Sequence, residues 1–473
     1  MSTFSALHTA YSGLSAARAA LDTAGQNIAN ANTAGYTRQR VNISSVAAPA
    51  NVGLAAAAPG SGQGVKVDGI ARLGDAYADN RVRSTAAESG YASTRAEALS
   101  AIEGNLREPG ANGISSQLHT FWDDWSGVSN LPNTDAAAHV LLQNAGALVE
   151  KISAGYTAMN DQWTSARGSV DTMAADLNAT ASQVAVLNGQ IRSTLAAGGS
   201  ANELIDQRSK LAVNIASLAG GTVREQRDGT VDVVIGGNAI VSGTTARSIA
   251  ISGAGRMDGA SAAPVKLEWA DRPGQAVSLD GGKLAGTLSV LSPGNGGTGG
   301  AIAEAAESFN RLAQSLAVTV NPVHQGGTTP AGATNLEFFH INAGVPAALG
   351  LSVVPQGKDD LATGAAGAGP FDGSNADSIA RLATAAGGPD NTWSGIVTNI
   401  GVAARSATLH GNLAETASAA AKQAQTAAAG VDLDEENMNI LAQQHAYQAA
   451  ARVMSAIDEA LDTLINRTGI VGR

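Results

Sequence analysis

Cysteine is absent from this 473-residue chain, aromatic residues make up 4% of it, and charged residues only 15%. The missing cysteine excludes disulfides, thiolate nucleophiles and Cys-ligated zinc. So few aromatics leave little material for a thick core. Basic residues are outnumbered, 29 Lys and Arg against 40 Asp and Glu, for a formal charge of −11. With no Lys/Arg-rich run to neutralise phosphates, nucleic acid is not expected as a partner. No run reaches the ~20 apolar residues of a membrane-spanning helix, so no membrane insertion is expected. Met1 to Ala20 has no basic stretch leading into an apolar one, and reads as an amphipathic helix rather than a secretory signal.

What remains is rich in Ala, Gly, Ser and Thr, with 56 Gly. Alanine is the best helix former, and small residues let helices approach closely, so long, thin helical pairs are favoured. The length suits roughly two to four domains. Near the start, Phe4, Leu7, Tyr11, Leu14, Ala17, Leu21, Ala24 and Ile28 recur at intervals of three or four. Near the end, Ile440, Tyr447, Ala450, Met454, Ile457, Leu461 and Leu464 do the same, with Gln443 as a polar interruption. Such spacing marks a seam for another helix. The two stripes are expected to pair with each other or with other subunits.

Between them the sequence predicts helix, then sheet, then helix. Asn30 to Gly35 ends the first helix, with Gly35 suited to a left-handed turn. Val41–Val46 and Val65–Ile70 read as strands around an Ala/Pro/Gly-rich linker, Ala47 to Gly64. Leu73 to Leu218 reads as helical, with breaks at Glu108–Gly113 and Leu131–Asp135 and two long helices expected between Ala136 and Gly198. Thr222–Arg224 and Val231–Ile235 flank the turn Arg227-Asp228-Gly229 as a hairpin, and short strands continue to Leu279. Helices are expected again at Ala301–Val320, Ser378–Ala386 and Trp393–Ala429.

No catalytic constellation emerges. Gly294-Asn295-Gly296-Gly297-Thr298-Gly299 follows a strand-like Thr287–Leu291 and precedes a helix, as a dinucleotide fingerprint would. However, Pro293 intrudes and no acidic residue stands about 20 positions on. The histidines His8, His119, His139, His324, His340, His410 and His445 show no metal-site spacing. The cluster Asp432, Asp434, Glu435 and Glu436 lacks the central Gly of a Ca²⁺ loop and reads as a helix N-terminus favoured by the macrodipole. No cofactor, no metal and no enzymatic activity are expected.

Ser12-Gly13-Leu14-Ser15-Ala16-Ala17, then Gln26-Asn27-Ile28-Ala29-Asn30, Asn32-Thr33 and Gly35-Tyr36, resembles the N-terminal signature of flagellar rod, hook and hook-associated proteins. Thr37, Arg38 and Gln39 bring it closer to the hook-associated protein 1 (FlgK) family. Glu203–Leu211 and Gly282–Gly286 are similar to that family's passages into and out of its sheet region. Phe309–Ala313 and Val320–His324 resemble its return into the helical domain. Gly430-Val431-Asp432-Leu433-Asp434-Glu435-Glu436 with Tyr447–Val453 is similar to its C-terminal signature. Ser289–Gly300 and Thr328–Gly373 depart from the family pattern.

The resemblance implies a mainly α fold with an inserted β domain. Residues 1–62 with 425–473 would form a terminal coiled-coil tube domain. Residues 63–220 with 281–325 and 376–424 would form a helical bundle, and 221–280, with or without 326–375, an outer β-rich domain. The implied role is a structural subunit joining hook to filament, self-assembling into a ring or helix and required for filament assembly. Hook subunits would lie on one side and the next junction protein on the other. Export would be unfolded, through the flagellar type III system, with a chaperone on the C-terminal helix. The location would be extracellular after a cytoplasmic phase. The alternatives are a hook or distal-rod subunit, or an axial protein carrying an enzymatic or adhesive outer domain. Subunit packing would fall to the terminal residues Phe4, Leu7, Tyr11, Leu14, Leu21, Ile28, Ile440, Tyr447, Met454, Ile457, Leu461 and Leu464.

Overall fold

A 62-residue helix, α4 (Asp135–Ala196), runs through the centre of the molecule. Its buried residues, among them Leu141, Leu148, Ile152, Met159, Trp163, Val170, Leu177, Val184 and Ile191, follow the three-and-four spacing along its whole length. Two helices were expected here. The glycines in this stretch stand singly, without a proline, so none breaks the helix. Gly155 is a packing site instead, where a Cβ would strike the Phe309 ring. The computed structural model describes residues 3–47 and 62–467, so most of the expected linker lies outside the described residues.

The chain opens with α1 (Thr3–Ala29), which leads through a turn with Gly35 at φ +75° into the antiparallel pair β1 (Gln39–Ser45) and β2 (Val65–Arg72). Next come α2 (Ala76–Leu106), α3 (Ile114–Asn130), α4 and α5 (Asn202–Ala219). The Asp75 carboxylate caps α2 by accepting from the Tyr77 and Ala78 amides. The sheet region follows as two antiparallel meanders. One is β3 (Thr222–Glu225), β4 (Val231–Ile235), β5 (Asn238–Ser242) and β6 (Thr245–Ala246). The other is β7 (Ile249–Ser252), β8 (Lys266–Trp269) and β9 (Arg272–Ala276). Then come α6 (Gly282–Leu291), α7 (Ala301–Gln325), and the short pair β10 (Phe339–Ile341) and β11 (Leu351–Val353) around α8 (Ala347–Gly350). The chain closes with α9 (Ser374–Ala380), α10 (Pro389–Ala429) and α11 (Leu433–Asp462).

Two asparagines of α4 hold the sheets. Asn188, fully buried, donates to the Val231 and Gly243 carbonyls and accepts from the Val231 amide and Arg208. Asn178 donates to the Ile249 carbonyl and accepts from its amide. Buried amides of this kind are stable only when fully paired. The scarce aromatics are concentrated inside: all five tryptophans, Trp122, Trp125, Trp163, Trp269 and Trp393, are buried. The strand expected at Thr287–Leu291 is the second half of α6. Leu284, Val290 and Leu291 pack there among helices, and burial overrides the β-branched local sequence.

Elsewhere small residues do the packing. Helix α10 lies along α2 with Ala404, Gly411, Ala414, Ser418 and Ala421 buried, and a Cβ on Gly411 would stand 3.3 Å from that of Ala96. A Cβ at Gly90 of α2 would stand 2.5 Å from the Ser217 carbonyl oxygen at the end of α5. Gly90→Ala is therefore expected to destabilise the helical body by about 1–3 kcal/mol, the range for overpacking. Urea unfolding followed by circular dichroism measures this; an unchanged midpoint would mean that the helices are not packed this closely.

Candidate functional site

The two terminal helices meet. Helix α1 packs along α11 with Ala6, Thr9, Ala10 and Gly13 facing Ala450, Val453 and Ile457. Gly13 lies opposite Ala450, where a Cβ would make ordinary contact at 4.0 Å. The residues that α1 buries are small or polar: Ala10, Ala16, Ala17, Thr23, Ala24 and Asn27. The large members of the expected stripe sit elsewhere. Phe4 and Tyr11 are exposed, and Leu7, Leu14, Leu21 and Ile28 are half-buried. On α11, Ile440, Met454, Ile457 and Leu461 are half-buried, while Tyr447 and Leu464 are exposed. Glu436 is the single buried residue of α11 among the described ones. On the α1 side the seam is thus built from small residues, which let the backbones approach, and α11 meets them with Ala450, Val453 and Ile457, while Phe4, Tyr11, Tyr447 and Leu464 are left outside.

The proximal end of this pair is held by a polar hub. The first turn of α11 is capped by Asp432, whose carboxylate accepts from the Asp434 and Glu435 amides. That cap directs Glu435 and Glu436 to Arg38. Arg38 donates from Nη1 and Nη2 to the two Glu435 oxygens at 2.9 and 2.7 Å, and from Nε to Glu436 Oε1 at 2.6 Å. The planar fork of arginine suits this two-carboxylate grip, which a lysine could not reproduce. The Glu435 hydrogen bond leads in holding the Arg38 guanidinium above its usual range, against the opposing effect of burial. The backbone of Arg38 works as well. Its amide donates to the Ala429 carbonyl at the end of α10, and its carbonyl accepts from the Leu73 amide after β2.

Neighbouring residues extend the hub to the helical body. The Thr37 amide donates to Asp206 of α5, and Arg72 donates to the other Asp206 oxygen at 2.6 Å. Gln39 donates to Glu203 and accepts from Asn202. Asn27, at the end of α1, donates to the Gln39 carbonyl and accepts from the Gln39 amide and the Tyr36 hydroxyl. Burial first, then the charges of Glu203, Asp206 and Glu436, push the Tyr36 phenol up to about 12. Its neutral hydroxyl is therefore a dependable donor.

The structure brings Asn27, Tyr36, Thr37, Arg38, Gln39, Asp432, Glu435 and Glu436 into one cluster. Asn30 caps its own helix end by donating to the Gln26 carbonyl, Gly35 supplies the turn, and Asn32, Leu433 and Asp434 are exposed. Arg72 and Asp206 carried no signal for this role in the sequence, since neither belongs to a periodic pattern. The glycine-rich segment before α7 is also resolved. The Asn295, Gly297 and Gly299 amides all donate to the Glu304 carboxylate, so this loop is filled from within. Among the described residues no group of three or more His, Asp or Glu is placed to hold a metal ion.

Asn27→Leu would leave the Gln39 amide and carbonyl without partners, a cost of at least about 2 kcal/mol. Trypsin cleavage at Arg38 and Arg40 is expected to accelerate roughly 30-fold, since cleavage follows the open population. An unchanged rate would count against the hub. Glu436→Gln is expected to accelerate cleavage more than Glu435→Gln, because Glu435 is half exposed and Glu436 is 2% exposed.

Comparison with known proteins identifies the family. Residues 99–339 match the model of the flagellar hook-associated protein FlgK helical domain. Residues 7–37 match the flagella basal body rod protein model, and 422–467 the flagellar basal body rod FlgEFG protein C-terminal model. Flagellar hook-associated protein 1 of Bacillus subtilis is 30% identical over 508 residues, covering 100% of both chains. The Escherichia coli protein of that name is also 30% identical, over 76% of this chain and 63% of its own. The flagellar hook junction protein FlgK from Burkholderia pseudomallei has the same fold, with a TM-score of 0.64 at 15% identity over 73% of this chain and 99% of its own. The chain belongs to the flagellar hook-associated protein 1 (FlgK) family.

Proposed function

We propose that this chain is a non-enzymatic structural subunit of the hook–filament junction, polymerised through α1 and α11. The observation that carries this reading is the terminal pair itself. It is anchored at one end by Arg38, and it turns large apolar side chains outward along its length. Phe4 is 71% exposed and Met438 67%, and Tyr11, Leu441, Tyr447, Leu464 and Ile465 are exposed as well. Large apolar side chains left exposed in this number along one helix pair suit a face that other subunits cover.

The same residues explain why assembly and ordering would be linked. Away from the hub, α1 buries mainly alanine and α11 fully buries no described residue, and about 25 cal/mol per Å² of apolar burial then offsets little of the entropy of ordering a helix. The distal ends would be fixed only when copies of the chain supply the other side of the seam. In this reading Phe4, Leu7, Tyr11, Leu14, Leu21 and Ile28 of α1, with Ile440, Tyr447, Met454, Ile457, Leu461 and Leu464 at the other terminus, pack between subunits. Hook subunits would lie on one side and the next junction protein on the other. Before that, an export chaperone would cover the apolar stripe of the C-terminal helix, a helix-in-groove contact. The finished location would be the outside of the cell, after a transient cytoplasmic phase. No helix of the described residues is long and apolar enough to cross a membrane.

Deletion of residues 1–28 or of 440–473 is expected to leave the helical body and the sheets folded, by circular dichroism, but to abolish filaments. Normal filament growth from cells carrying either truncation would overturn the proposal. Cells lacking the protein should keep hooks and lose filaments; loss of the hooks themselves would indicate a hook or rod subunit instead.

A further inference from the structure

His324 in the last turn of α7 is fully buried, and both of its ring nitrogens are in use. Nδ1 lies 2.7 Å from the Leu336 carbonyl oxygen, and Nε2 lies 3.1 Å from the Ala362 amide nitrogen, which donates to it. A carbonyl can only accept and an amide N–H can only donate. The contacts therefore fix one tautomer, with the proton on Nδ1 and a bare Nε2. The ring stands edge-on to Trp125 of α3, at a centroid distance of 6.1 Å, and to Phe338 at 5.6 Å.

These two hydrogen bonds join three separate stretches: the end of α7, the strap of residues 326–338, and residues 361–364. The strap is secured to the third stretch nearby. The Thr328 and Gly364 amides exchange hydrogen bonds with each other's carbonyls, and Asn375 donates to the Ala362 carbonyl. An imidazolium would have no lone pair for the Ala362 amide. It would leave a buried donor facing a buried donor, with a charge in an aromatic pocket.

Charged groups on the surrounding elements are engaged elsewhere or exposed. On α3, Asp124 accepts from Asn144, and His119 and Asp123 are exposed. On α7, Glu304 is held by the glycine-rich loop, Glu307 accepts from Asn310, and Arg311 donates to Ser308. In the strap and beyond, Glu337 pairs with His340, Lys358 with Asp135, and Asp360 accepts from the Gln356 amide, while Asp359 is exposed. Towards α9, Asp372 accepts from Ser374 and Asp377 pairs with Arg381. Burial pushes the His324 imidazole below its ordinary value of 6.5, and the Leu336 carbonyl offsets part of that shift.

We infer that His324 is a pH-sensitive lock that holds the 326–338 strap closed against residues 361–364 at neutral pH and releases it in acid. The neutral ring contributes its full stabilisation above the unfolded value of about 6.5. As pH falls from there towards the lower folded value, the opened strap takes up a proton that the closed one refuses. The opening equilibrium then rises about tenfold per pH unit.

Amide hydrogen exchange on the full chain tests this, read as protection factors from pH 7.5 to 5. Ala362 and Thr328 are expected to lose about tenfold per unit below pH 6.5, while Val233 in the sheet does not change. Protection at Ala362 that is constant across this range would overturn the proposal. His324→Phe is expected to remove Ala362 protection at neutral pH and to abolish its pH dependence. Should that variant not fold, nitrogen NMR of the wild-type histidines decides alone. An Nδ1-protonated His324 titrating below 6.5 supports the lock; an Nε2-protonated ring, or titration at or above 6.5, overturns it.

Discussion

Arg38 is the residue on which the relation between the termini and the body depends. Its guanidinium holds the first turn of α11 through two carboxylates, and its backbone ties the end of α10 to the end of β2. Those three segments come from opposite ends of the sequence. Arginine's fixed fork can satisfy two carboxylates at once, and its high pKa keeps it charged. Around it, Asn27, Gln39 and Asp206 leave few polar atoms unpaired, so the hub resists opening as a unit.

That constraint explains the division of side chains. The body buries all five of its tryptophans, and two asparagines of α4 carry the sheets. The terminal pair has no such core: α1 buries mainly alanine, and Phe4, Tyr11 and Met438 are exposed. A subunit of an assembly can leave them outward, provided the pair is already aimed, and the hub supplies the aim.

Much of this was legible in the sequence, and the rest was not for identifiable reasons. The strands at Val65 and Val231 and the breaks at Glu108–Gly113 and Leu131–Asp135 carried local signals of turn chemistry and alternation. The acidic run Asp432–Glu436 was recognisable as a helix start, and Asp432 does cap α11. Its partner Arg38 lies almost 400 residues earlier, and no periodicity connects them. The stripe on α1 drew attention to its large residues, whereas the seam within the molecule runs through the alanines between them. At Thr287–Leu291 a β-branched run suggested a strand, but packing against helices on several sides made it α6. Arg72 and Asp206 take their role from the tertiary structure alone.

The central claim is that Arg38 anchors one end of a terminal pair that is otherwise weakly held. Amide hydrogen exchange of the full-length subunit, compared with Arg38→Ala, tests this most directly. The structure predicts protection at Asn27, Gln39 and Glu436 that declines along α1 towards Thr3 and along α11 towards Asp462, and that is lost in the variant. Protection that is uniform along both helices, or the same in the two proteins, would contradict it.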